Sequence, residues 1–91
     1  MKATVVGLVS PHVLRVIDLA NEAEKGVNVD WHVRDTVTKS MDALGDQFNA
    51  QDLVETYLQG LDRAAGQVNE RPAYVRTLRS AAEIARRLRR D

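Results

Sequence analysis

The residues of this 91-residue chain with side chains suited to catalysis or metal binding are two histidines, three serines and a scatter of carboxylates. His32 and Asp35 stand one helical turn apart, but two ligands of mixed type fall short of a transition-metal site. Ser10, Ser40 and Ser80 have no histidine at a spacing that would activate a hydroxyl. Asp42 and Asp46 straddle Gly45, where they solvate a turn rather than share a proton. Cysteine is absent, which removes disulfides, thiolate metal sites and a cysteine nucleophile. The glycines are isolated and build no phosphate loop. The expectation is a chain that is not an enzyme, with no metal, no cofactor and no small-molecule substrate.

The charge is more informative. Thirteen basic and thirteen acidic residues cancel, yet from Arg71 onward seven arginines face only Glu83 and Asp91, a net +5, and residues 1–70 carry the opposite −5. Such polarity suggests an anionic or acidic partner at one end of the molecule, or two copies paired head to tail. Part of the excess, Arg86, Arg87, Arg89 and Arg90, also complements the negative end of a C-terminal helix dipole.

The elements that must carry these groups follow from periodicity. The apolar run Ala3–Val9 is far shorter than the roughly 20 residues that span a bilayer, and no cleavage site follows it, so neither a membrane span nor a leader is expected and a cytoplasmic location is. Its valines predict a short strand or extended arm over residues 1–9, with Val5, Val6, Leu8 and Val9 available to a second copy. Residues 10–91 read as a single helical domain. Ser10 is suited to cap a helix with Pro11 in its first turn, Val13, Val16, Ile17 and Ala20 facing inward, and Gly26 ending it. A second helix over Asp30–Leu44 turns Val33, Val37, Met41 and Leu44 inward.

The third helix has the clearest start, with Asn49 as cap, Asp52 in the reciprocal position and Phe48 spaced to staple onto Leu53. Its inward stripe is Leu53, Tyr57, Leu61 and Ala64. Gly60 within it costs about 1 kcal/mol relative to alanine, which a bend or a close crossing would explain. The fourth helix begins near Pro72 and places Tyr74, Leu78, Ala81, Ala85 and Leu88 on a seam whose small residues admit another helix closely. Arg79–Glu83 and Glu83–Arg87 form i,i+4 pairs on its outside. The fold class expected is all-α, a four-helix bundle with a short N-terminal arm.

Trp31 falls nearly opposite Val33 and Val37 on the second helix. It is either an exposed contact anchor or folds back over Val27 or Val29, and folding back is favoured.

The segment RDTVTKSMDALGDQFNAQDLVETYL (34–58) resembles the first two helices of winged-helix and helix-turn-helix DNA-binding domains, and NERPAYVRTLRSAAE (69–83) is similar to the recognition helix that follows in them; together the likeness covers residues 31–85. The pattern after that helix stays helical, so no wing is expected. The resemblance implies a helix-turn-helix-like arrangement in which Arg71, Tyr74, Arg76, Thr77, Arg79 and Ser80 face the major groove. Arg86, Arg87 and Arg90 would add phosphate contacts. Two functions are then in view. One is a DNA-binding transcription regulator; the other is a protein-interaction module, a homodimer, inhibitor or adaptor, docking through Leu78, Ala81, Ala85, Leu88 and the N-terminal arm.

Overall fold

The computed structural model describes residues 2–67 and 70–89. Four helices follow one another: α1 over Lys2–Glu24, α2 over Asp30–Gly45, α3 over Ala50–Gly66 and α4 over Pro72–Leu88, with every pair of helices in contact. No strand occurs among the described residues, and none of these helices is long and apolar enough to cross a membrane.

The extended arm and its strand pairing with a second copy are corrected. The chain is helical from Lys2. Val5, Val9, Val13, Val16 and Ala20 recur at steps of four and three, so the valine run continues the inward stripe of the helix that follows it, and Val9 is only 2% exposed. Packing against the core overrides the weak β preference of valine. Ser10 and Pro11 therefore lie inside α1 rather than at its start. The Ser10 hydroxyl donates to the Val6 carbonyl at 2.7 Å. Pro11 has no N–H for the Gly7 carbonyl, and both residues are exposed, so that oxygen is open to solvent.

Gly26 ends α1 as expected, with φ +95. The Val27 N–H returns to Glu22 O at 3.1 Å and the Gly26 N–H to Ala23 O at 3.0 Å, the paired bonds of a Schellman turn. The start of α2 is secured by Asn28, whose Oδ1 accepts the Asp30 N–H. The capping box and staple expected at α3 do not form. Asn49 makes no side-chain cap hydrogen bond and Phe48 is fully exposed, while Leu53, its intended partner, is buried in the core. Leu53 is covered instead by the apolar side chains of the core cluster.

The start of α4 has a cap supplied from another helix. Glu24 Oε2 accepts the Tyr74 N–H at 3.1 Å and puts a carboxylate at the positive end of the helix. Arg71 donates to Asn21 Oδ1 at 2.6 Å and its guanidinium lies 4.4 Å from the centre of the Tyr74 ring. The end of α1 and the beginning of α4 are thus clasped together.

The seam of α4 closes inside the chain: Tyr74, Leu78, Ala81 and Ala85 are buried, and so are Thr77 and Ala82 on its flanks. Gly60 marks a close crossing. A Cβ built there would lie 3.0 Å from Val13 Cγ2 of α1. Gly60→Ala is expected to be nearly neutral, because about 1 kcal/mol of helix propensity offsets the small shift of Val13. Gly60→Leu should instead lose about 1–3 kcal/mol by overpacking. Urea unfolding of the two variants checks the contrast; equal stability would mean that α1 and α3 do not cross here.

Candidate functional site

The outer face of α4 carries Arg76, Arg79, Ser80, Glu83 and Arg87 at helical spacing, one side of an open groove of about 770 Å³ that Arg34 of α2 joins. Small and aliphatic side chains of α3 and α4 floor it. Glu83 pairs with Arg87 at 2.7 Å, and the second i,i+4 pair expected, Arg79–Glu83, does not form. Among the described residues no carboxylate comes within ion-pair distance of Arg34, Arg76 or Arg79. Three guanidinium groups with free hydrogen-bond forks therefore line one concavity, with a fourth at its end.

The residues expected to contact nucleic acid divide accordingly. Arg76, Arg79, Ser80 and Arg87 share the groove. Arg71 is held in the clasp with Asn21 and Tyr74, and Arg86 pairs with Asp62 of α3. Tyr74 and Thr77 are corrected outright. Both are buried, and the Thr77 hydroxyl donates to the Ala73 carbonyl at 2.8 Å, so neither can be offered to a base edge. Arg90 lies outside the described residues. Arg34 was missing from the expectation because nothing in its own helix distinguishes it; only the approach of α2 to α4 recruits it.

The docking surface is corrected in the same way. Val9, Leu78, Ala81 and Ala85 are core residues and Val5 is half-buried, which leaves Val6, Leu8 and Leu88 accessible. Trp31 does not fold back. It is 69% exposed, and its ring meets that of His32 edge to face at 5.3 Å. Among the described residues no three metal-ligating groups cluster around His32 or anywhere else.

The chain matches no family model, no curated protein and no solved structure. The reading of the groove therefore rests on its own chemistry.

One polar cluster escaped the sequence because its members are distant in the chain. His12 Nδ1 lies 2.8 Å from Ser40 Oγ, joining α1 to α2, and the His12 and Tyr57 rings meet edge to face at 6.4 Å. Ser40 is 1% exposed, so a substrate has no path to its hydroxyl, and the part-buried pair cross-links α1 and α2. The Tyr57 hydroxyl is buried without a hydrogen-bond partner, and burial pushes its phenol up to about 12, opposed by smaller contributions from Ser40 and Arg15.

Burial, and secondarily Arg15, lowers the His12 pKa below 6.5. The folded state thus favours the neutral ring. The resulting stability is fully present above 6.5, and it is lost as pH falls from there through the folded-state value, because the unfolded chain then binds the extra proton. Thermal melting at about pH 5.5 is expected below that at about pH 7.5. His12→Gln should flatten this dependence; a slope unchanged by that substitution would mean that His12 does not control it.

Proposed function

We propose that this protein is a small non-enzymatic nucleic-acid-binding regulator that takes the phosphate backbone in the α4 groove. The observation that carries the reading is the convergence of Arg34, Arg76 and Arg79 with no carboxylate partner among the described residues, in a chain whose net charge is zero. Arg71, Arg86, Arg87 and Arg89 of the same basic segment are all engaged within the chain. Planar guanidinium forks suit phosphate oxygens, and contacts of this kind bind backbone without reading bases. The helix-turn-helix resemblance names the same class of partner. With Tyr74 and Thr77 buried, register comes from phosphate contacts, and Ser80 is left as the accessible hydroxyl. A regulator of this kind acts in the cytoplasm, beside nucleic acid.

The test is fluorescence anisotropy of a labelled random duplex, repeated between about 50 and 200 mM salt. Three neutralised phosphates predict a slope of log affinity against log salt near −3, roughly a 40-fold loss over that range. No binding at the lowest salt removes this reading.

A protein-interaction module is the second reading, favoured by a different observation. Val6 and Leu14 are exposed on the rim of a groove of about 810 Å³ between α1 and α3. Exposed apolar residues around a concavity often mark association. Light scattering of the purified chain tests the homodimer form of this reading, which a concentration-independent monomer excludes.

A further inference from the structure

We infer that the nucleic acid taken by this groove is single-stranded, with Trp31 as a stacking platform for one of its bases; this rests on the groove reading above. Trp31 lies three residues before Arg34, and side chains at that spacing are neighbours on one flank of a helix. Arg34 is the α2 residue that lines the groove, so the indole stands one turn away from a phosphate-binding guanidinium. Asp35, on the adjoining turn, is paired with Lys39 at 3.1 Å, which reduces its repulsion of an incoming strand.

The His32 ring meets the indole edge to face, nearly at right angles, and most of the tryptophan surface is open. A duplex laid along the arginines keeps its bases stacked within itself and brings sugar and phosphate to Trp31. A single strand on the same arginines has bases free to turn onto the indole. Cationic grooves flanked by aromatic rings bind single strands in this way, with little dependence on sequence because every base has a π-face.

The chain contains one tryptophan, so its fluorescence reports on this position alone. The full chain is titrated with thymidine and uridine oligonucleotides of about 12 nucleotides, a duplex of that length and inorganic polyphosphate. Both single strands should quench Trp31 strongly, and the tighter of the two names DNA or RNA. Duplex and polyphosphate should bind with little quenching. Trp31→Ala, at an exposed position, should weaken single-strand binding by about tenfold and leave polyphosphate binding unchanged. Single-strand affinity unaltered in Trp31→Ala overturns the inference. If polyphosphate still binds in that case, and is released by Arg76→Ala with Arg79→Ala, the groove reading stands alone. Absence of binding by every polyanion removes both.

Discussion

Leu78→Glu should leave no folded protein. Leu78 has no exposed surface and sits on the buried seam of α4. Truncating such a leucine to alanine typically loses 2–5 kcal/mol, and a glutamate adds the desolvation of a carboxylate with no partner built to receive it. A domain of this size has about 5–15 kcal/mol of stability in all. Circular dichroism of the variant should therefore show the helical signal largely lost at room temperature. Leu88→Glu, the same substitution at the exposed end of the seam, should lose only about 1 kcal/mol. A folded Leu78→Glu monomer with an unchanged melting temperature would put the seam on the surface and return it to the docking reading. The contrast matters because the two leucines are equivalent in the sequence pattern and differ only in what covers them.

The second large effect is on binding. Replacing Arg34, Arg76 and Arg79 together by alanine should lower affinity for nucleic acid by about a hundredfold or more at low salt, since each charge-assisted contact to phosphate contributes about 1.5–3 kcal/mol before screening. The salt slope should fall by about one for each contact removed. All three side chains are exposed and unpaired among the described residues, so the melting temperature should stay within the range of ordinary surface changes. Arg86→Ala removes one positive charge from α4, as Arg76→Ala or Arg79→Ala alone would, but that arginine is turned to Asp62 of α3 and away from the groove lining. Its affinity loss should be several-fold at most. If Arg86→Ala weakened binding as much as Arg76→Ala or Arg79→Ala alone, net charge rather than the groove would be responsible.

Much of the fold was legible in the chain. The inward stripes of α2 and α3, the stop at Gly26 and the start of α4 at Pro72 depend on contacts between residues a few positions apart, which periodicity and turn chemistry record. Gly60 was legible as an anomaly, because a helix interior tolerates glycine only for a reason, and the reason is the crossing of Val13. The valine run was misread because its local preference and its tertiary role disagree. A strand and a helix were both open to residues 4–9, and burial of Val9 against the bundle decided between them.

The groove was half legible. The excess of arginine after position 70 is a property of composition, and it pointed to the right helix. Which arginines remain free is a property of neighbours: Asn21 and Tyr74 hold Arg71, Asp62 holds Arg86, and Glu83 holds Arg87 rather than Arg79. The same holds for Trp31 and Phe48, whose exposure depends on whether another helix happens to cover them.

By itself, then, the sequence determined an all-α chain of four helices with a basic last segment, because helix periodicity and charge are local quantities. The tertiary structure alone decided that the α4 seam is core, that Tyr74 and Thr77 are hidden, that Ser40 meets His12 and that Arg34 completes the groove. Each of these depends on which helix faces which, and that choice is made by the packing of whole apolar faces over distances that no spacing along one helix encodes.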